Sequence, residues 1–191
     1  MSNTRKMLIE VARQLFAKNG KKDVTMNDIA EASKKGRRTL YTYFNNKEEI
    51  YKAVIDKELD TILERLNVVS TQIMEPDEKL TAHILTHLDA VKDVVNRNGS
   101  LRADFFHDIY EVERKRRKID VQEISLIRTI IVQGIKKGVF KRMDADLSST
   151  IIFYAIKGLE VPYIRQNINS EFEKNKNSIV EFVFQGIKKK H

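Results

Sequence analysis

The sequence predicts an all-α protein in which a small N-terminal domain precedes a larger helical domain, with about nine helices in all. Two observations support this fold class. Apolar residues recur at helical spacing along most of the 191 residues, and no segment shows the convincing two-residue alternation of a strand. The chain also holds only two prolines, Pro76 and Pro162, so little interrupts the helical pattern.

The first helix is predicted over about residues 3–19. Gly20 follows it, at a place where glycine commonly ends a helix. A second, short helix is predicted after Val24, with Thr25 as its N-cap and Asp28 three residues on, close to a capping box. The first helix keeps an apolar stripe at i, i+3, i+4, i+7 and i+8 spacing: Leu8, Val11, Ala12, Leu15 and Phe16.

Residues 36–44 predict a third short helix whose outer surface suits insertion into a groove. At about 100° per residue, Leu40 and Phe44 fall on one side, where they must pack on other helices. The rest of its surface is polar or aromatic, with Arg38, Thr39 and Thr42 opposite that side and Tyr41 and Tyr43 on the flanks. This pattern suits a DNA major groove, with bases ahead and phosphates on both walls.

The second and third helices, joined by residues 33–36, match a helix-turn-helix, in which the second helix of the motif reads the groove. The charge distribution agrees with this interpretation. Residues 1–47 hold eleven Lys and Arg against four acidic residues, a net charge of +7, so the rest of the chain contributes only +1 of the total +8. A segment with this excess is expected to meet a polyanion.

Residues 5–55 resemble the DNA-binding domain of the tetracycline-repressor (TetR) family of bacterial transcriptional regulators. The turn departs from the family pattern, since Lys34 replaces a common glycine, Lys35 a common valine and Gly36 the usual serine or threonine cap. The similarity runs without a gap through Ile9, Ala12, Leu15, Phe16, Gly20, Thr25, Met26, Ile29, Ala30, Thr39, Leu40, Tyr41, Tyr43, Phe44, Lys47 and Glu48.

The resemblance implies double-stranded DNA with an inverted-repeat operator as one partner. It also implies a homodimer and a small-molecule effector of unknown identity that releases a repressor from the operator. Arg38 and Thr39 are expected to reach base edges, and Thr25 and Lys47, at helix starts, to meet phosphates. The full set expected to contact DNA is Thr25, Lys35, Gly36, Arg37, Arg38, Thr39, Tyr41, Thr42, Tyr43 and Lys47.

After the helix-turn-helix, a long fourth helix is predicted with Asn46 as its N-cap and Glu49 at the capping-box position. It should link residues 1–47, the DNA-binding domain, to residues 48–191, the effector-binding and dimerisation domain. Five further helices are predicted, the sixth from near Leu101 and the seventh ending near Gly138. The last two are expected to pair across a two-fold axis in the homodimer.

The chain contains no cysteine, which excludes a disulfide framework, a thiolate nucleophile and a cysteine metal site. Its N-terminal apolar run is too short for a signal peptide, and no run approaches the length of a membrane span. A cytoplasmic protein with no membrane partner is therefore expected. We expect no cofactor.

His83 and His87 stand at i, i+4 on one predicted helix and could face a metal or a ligand cavity. No carboxylate joins them at recognisable ligand spacing, so a cavity is favoured over a metal. Phe105, Tyr110 and Tyr154 could line the same effector site, although aromatic residues at helical spacing more often belong to a core.

Two other classes of function remain open. An architectural or effector-independent DNA-binding protein would share the basic N-terminal region, but it would bind any duplex with one salt dependence. A small helical enzyme is the third class. It is disfavoured because the sequence contains no Gly-rich phosphate loop, no nucleophile motif and no carboxylates paired at a telling spacing.

Overall fold

The computed structural model describes the backbone of residues 2–99, 110–164 and 176–188, and side chains at residues 2–99, 116–160 and 177–188. Every regular element in these ranges is an α-helix, with one isolated antiparallel bridge between Phe140 and Lys188. The all-α prediction is confirmed. The helices are α1 (Asn3–Asn19), α2 (Met26–Ala32), α3 (Arg37–Tyr43), α4 (Lys47–Thr71), α5 (Pro76–Arg97), α6 (Tyr110–Lys137), α7 (Ala145–Ile164) and α8 (Lys176–Ile187).

Helix α6 corrects the separation that the sequence predicted between the sixth and seventh helices. It runs without a break from Tyr110 to Lys137, and the predicted start near Leu101 lies outside the described residues. The continuity has a local reason, because residues 113–118 are all Glu, Lys or Arg, which are good helix formers. Nothing in that run ends a helix.

The chain divides into two compact units. The first comprises Met1–Asp60 with Asp93–Arg116, and the second comprises Thr61–Lys92 with Arg117–His191. Helix α4 contributes residues to both units and is continuous from Lys47 to Thr71. The predicted domain boundary after residue 47 stays a prediction.

In the first unit, α1, α2, α3 and the first half of α4 share one apolar core. A buried carboxylate lies beside it, where Glu58 on α4 accepts hydrogen bonds of 2.6 Å from both Arg97 Nε and Asn98 Nδ2. Arg13 on α1 donates to the carbonyl of Arg97 over 3.0 Å, so α1, α4 and the end of α5 are tied together within this unit. The largest core side chains are Leu8, Phe16, Ile29, Leu40, Phe44, Ile50 and Ile55.

In the second unit, helices α5 to α8 bury a second apolar cluster. Phe140, in the segment between α6 and α7, packs its ring against Phe184 of α8 with 6.3 Å between centroids. Gly134 makes room for it, since a Cβ there would lie only 2.1 Å from the Phe140 ring. The cluster consists of Leu80, Ile84, Leu88, Ile127, Ile130, Ile131, Phe140, Ile152, Phe153, Ile156, Val180 and Ile187.

Among the described residues, no helix is both long and apolar enough to cross a membrane.

Candidate nucleic-acid interface and buried histidine cluster

Helix α3 has the two faces that the sequence predicts. Leu40 and the C-cap Phe44 are buried against the first unit. The guanidinium of Arg5 on α1 lies 5.0 Å from the centroid of the Phe44 ring, so α1 also contacts this side of α3. The opposite side, which carries Arg38 and Thr42, is exposed.

The residues predicted to contact DNA all reach the surface of the first unit. The hydroxyl of Thr42 donates to the carbonyl of Arg38 over 2.9 Å, so only its oxygen lone pairs remain for a base. Thr39, Tyr43 and Lys47 are half-buried. The exposed members are Thr25, Lys35, Gly36, Arg37, Arg38, Tyr41 and Thr42.

The start of α2 is a complete capping box. The hydroxyl oxygen of Thr25 accepts from the backbone N–H of Asp28, and the Asp28 carboxylate accepts from the backbone N–H of Thr25 over 2.8 Å. The hydroxyl of Thr25 also donates to that carboxylate. These bonds from the Thr25 backbone and hydroxyl hold the pKa of Asp28 below its usual value. The predicted N-cap is confirmed, and its hydroxyl is already bonded within the protein.

The turn between α2 and α3 adopts an unusual backbone conformation at its centre. Lys34 has φ of +54°, in the left-handed region that favours glycine, and it is the one non-glycine residue with positive φ among the described residues. Gly36 is the N-cap of α3 and, having no side chain, gives it no capping hydrogen bond. Two of the three departures from the family pattern, Lys34 and Gly36, therefore have physical consequences for the backbone of the turn and the start of α3.

Lys47, the first residue of α4, has partners that the sequence did not indicate. Its ammonium donates to the carbonyls of Lys21 and Lys22, over 2.8 and 3.2 Å, in the segment between α1 and α2. The predicted N-cap Asn46 is confirmed, since its Oδ1 accepts from the backbone N–H of Glu49 over 2.9 Å. Lys47 therefore fastens α4 to the helix-turn-helix. An ammonium has three N–H donors, so one remains for a phosphate.

A polar cluster lies inside the second unit, around the two histidines that the sequence singled out. Glu123 on α6 accepts from His83 Nε2 over 3.2 Å and from His87 Nδ1 over 2.7 Å, at the same oxygen. His87 Nε2 lies 3.1 Å from an oxygen of Glu160 on α7. All four side chains are buried. The cluster thus joins α5, α6 and α7.

The sequence analysis missed Glu123 and Glu160. Spacing along the sequence did not reveal them, because the packing of three helices brings the two glutamates to the histidines from 36 and 73 residues away. A signal was present in the apolar stripes. Glu123 stands four residues after Ile119 and four before Ile127, and Glu160 four after Ile156, so each charged residue occupies a core position of its helix.

Charge pairing sets the protonation of this cluster. Burial lowers the pKa of His87, but the charges of Glu123 and Glu160 and their hydrogen bonds outweigh it and raise that pKa to about 9. Burial raises the pKa of Glu123, but the charge of His87 and bonds from both histidines lower it to about 2. At neutral pH, His87 is therefore an imidazolium beside an ionised Glu123.

The structure describes only part of the predicted ligand-binding set. Phe105 lies outside the described residues, and so does the side chain of Tyr110. Tyr154 is 59% exposed and lies about 120° around α7 from Glu160, so it is not on the face that carries the cluster. Among the described side chains, no group of three or more His, Cys, Asp and Glu can hold a metal ion.

These features together define a helix-turn-helix DNA-binding protein with a helical second unit. Residues 8–54 match the family model described as bacterial regulatory proteins, tetR family. The chain is also similar to YhgD of Bacillus subtilis (strain 168), an uncharacterized HTH-type transcriptional regulator. The two are 27% identical over 153 residues, which cover 78% of each chain. Residues 8–54 thus form a DNA-binding domain of the tetR family, in a chain that is similar to transcriptional regulators.

Two solved structures share the fold over nearly the whole chain. One is a transcriptional regulator from Cytophaga hutchinsonii ATCC 33406, with a TM-score of 0.80 and 22% identity, covering 96% of this chain and 98% of that one. The other is a transcriptional regulator from Saccharomonospora viridis in complex with choline, with a TM-score of 0.76, 19% identity and full coverage of both chains. The second unit therefore has the fold of regulators of this kind.

Proposed function

We propose that the protein is a homodimeric repressor that binds one inverted-repeat operator and leaves it when a small molecule binds the second unit. The observation that carries this proposal is the exposed polar face of α3, opposite the buried Leu40 and Phe44, within a segment of net charge +7. Such a face fits a major groove, and the surrounding positive charge attracts the phosphate backbone.

Base recognition and phosphate binding are assigned to different residues. Arg38 and Thr39, in the first turn of α3, contact base edges, and Thr42 follows one turn later. Lys47, at the start of α4, holds a phosphate, as do the hydroxyls of Tyr41 and Tyr43 on the flanks. Thr25, at the start of α2, donates its hydroxyl to a phosphate only by giving up its bond to the Asp28 carboxylate. The remaining members of the predicted DNA-contacting set, Lys35, Gly36 and Arg37, approach the DNA backbone from the turn and the start of α3.

The dimer is proposed to form through α7 and α8. Leu147, Ile151, Tyr154 and Gly158 lie on one face of α7, and the first three are each 59% exposed. Phe182 on α8 is 79% exposed. Apolar side chains this open along two helices favour burial against a second copy, and a two-fold pair would set the recognition helices about 34 Å apart.

The effector is proposed to bind near His83 and His87, two polar side chains of α5 that are buried in the second unit. The choline bound by the Saccharomonospora viridis regulator supports a small-molecule site in this fold. Helix α4 supports coupling, because one continuous helix contributes to both compact units. For full release, the effector must prefer the non-binding conformer by about 10⁴-fold. We further propose that the protein acts in the cytoplasm, by binding rather than catalysis.

Selection of operators from random duplex DNA by the full-length chain tests this function. A short inverted repeat is expected, with half-sites about one helical turn apart, bound at least about 1,000-fold more tightly than scrambled DNA. An architectural protein would instead give no enriched sequence and equal salt slopes on all duplexes. That result would contradict the proposed function as a sequence-specific repressor. The selected operator then serves to screen small molecules for release of the protein.

A further inference from the structure

One atom of the buried cluster has no hydrogen-bond partner among the side chains and backbone that the structure describes. His83 Nδ1 is buried and unpaired among the described residues, while its Nε2 faces Glu123. The His83 side chain is fully buried. A buried polar atom left unpaired is destabilising, and native proteins seldom keep one without a water or a ligand to meet it.

The hydrogen bonds of the cluster determine what that atom can accept. An ionised Glu123 only accepts hydrogen bonds, so His83 Nε2 and His87 Nδ1 both carry protons toward it. A second proton on His83 would set two imidazolium rings on one carboxylate oxygen and bury a charged N–H without an acceptor. With its proton on Nε2, the His83 ring presents a lone pair at Nδ1. Whatever meets this atom must donate a hydrogen bond.

The lone pair adds a second requirement. An ionised carboxylate carries no proton to donate to His83 Nδ1, and it would lose its hydration within the apolar core.

We infer that His83 Nδ1 is the acceptor of a small-molecule site, and that its ligand is an apolar molecule bearing an O–H or N–H donor. The ligand would be an alcohol or a protonated amine and not a carboxylate or an ether. The apolar part of the ligand would meet an apolar environment, since Leu80, Ile84 and Leu88 of the same helix are fully buried in the core. This inference rests on the proposed effector function and specifies its chemistry.

The test uses the full-length chain labelled with ¹⁵N-histidine and four probe types at chain lengths of four and eight carbons. The probes are the primary alcohol, the alkylammonium, the alkyl methyl ether and the carboxylate. The chain has four histidines, and loss of a signal in the His83→Gln variant assigns His83. The alcohol or the ammonium should shift the Nδ1 resonance and bind at least tenfold more tightly than the ether and the carboxylate. Which of the two binds more tightly identifies the donor.

Two variants test whether His83 Nδ1 causes the preference for probes that donate a hydrogen bond. His83→Leu removes the acceptor and should reduce the ratio of alcohol to ether affinity from tenfold or more to about one. His83→Gln retains an acceptor oxygen and an N–H for Glu123, so it should preserve the preference. Thermal unfolding checks that both variants fold. If His83→Leu does not fold, the wild-type resonance shifts decide alone.

Two results would contradict the inference, and they differ in meaning. The inference fails if the ether or the carboxylate binds as tightly as the tighter of the alcohol and the ammonium, or if no probe moves the Nδ1 resonance. The second result would mean that only a buried water meets the atom. Release of the selected operator is measured in the same samples. Binding at His83 without release would refute the effector function and leave the site standing.

Discussion

His87 and Glu123 form a buried ion pair, in which the imidazole Nδ1 donates to the carboxylate Oε1 over 2.7 Å. The two residues stand 36 positions apart, on α5 and α6. Neither group could stay charged alone in the core, because an isolated buried charge is strongly destabilising. Each charge is therefore stabilised by its partner, which makes the stability of the second unit depend on pH.

The first prediction concerns alkaline pH. The pKa of His87 is raised from 6.5 to about 9, so its contribution to stability is complete below pH 6.5 and is lost as the pH rises through 9. The pKa of Glu123 is lowered from 4.5 to about 2, so its contribution is complete above pH 4.5 and is lost toward pH 2. The free energy of unfolding should fall by roughly 3 kcal/mol between pH 6.5 and pH 9.

Urea unfolding at pH 6, 7.5 and 9 measures this dependence. His87→Gln, which cannot gain a proton, is the matched control and should show a flatter profile over the same interval. Equal slopes for the two proteins would show that another group carries the alkaline transition.

The second prediction concerns the turn of the helix-turn-helix. Lys34→Gly should raise the free energy of unfolding by roughly 0.5 kcal/mol, because relief of the left-handed strain exceeds the entropy that glycine adds to the unfolded chain. Lys35→Gly is the control, since it removes the same charge from an exposed site without positive φ. That variant should lose about 0.5–1 kcal/mol. Chemical denaturation measures the free energy of unfolding of both variants. Equal changes in the two variants would show that the backbone at Lys34 is not strained.

The third prediction separates base reading from phosphate holding. Arg38→Ala should relax preference at one base pair of each half-site, worth about 1–3 kcal/mol of discrimination. Lys47→Ala should weaken all sequences alike and reduce the salt slope by about one. It should also lower thermal stability, because the carbonyls of Lys21 and Lys22 lose their donor.

Binding isotherms on operator and scrambled DNA over a salt series measure both effects. Lys141→Ala removes an exposed charge far along the sequence from the helix-turn-helix and is the control for net charge. If Arg38→Ala weakened both duplexes equally, Arg38 would be a phosphate contact.

The fourth prediction concerns the dimer. Ile151→Glu should weaken dimerisation by about 100-fold or more, because it would place an unpaired carboxylate in an apolar interface. Ile73→Glu is the control, since Ile73 is also an exposed apolar residue but lies in the segment between α4 and α5. Sedimentation over a concentration series reports the equilibrium. A wild-type chain that stays monomeric at micromolar concentration would contradict the proposed interface.

Gly158 offers a milder probe of the same interface. A Cβ added there meets nothing within 4 Å in the isolated protomer, so Gly158→Ala should not harm folding. A weaker dimer in this variant would therefore report close approach of a second chain. An unchanged dimer would move the interface away from Gly158.

The sequence by itself determined the elements whose formation depends on neighbours within one helical turn. Apolar periodicity gave the all-α class and the buried side of α3 at Leu40 and Phe44. Local hydrogen bonding gave the capping residues Thr25 and Asn46, and the need for positive φ gave Gly20 as the end of α1. These signals lie within about four residues of the element they fix, which is why a single sequence suffices to find them.

Tertiary structure alone decided the features that join distant positions. Glu123 and Glu160 meet His87 from 36 and 73 residues away, a relation that depends on the rotation and register of three packed helices. The same holds for Lys47, whose carbonyl partners precede it by 25 and 26 residues. Helix packing is set by the fit of whole apolar faces, so a lone charged residue within a stripe shows that a partner is needed but not which residue supplies it.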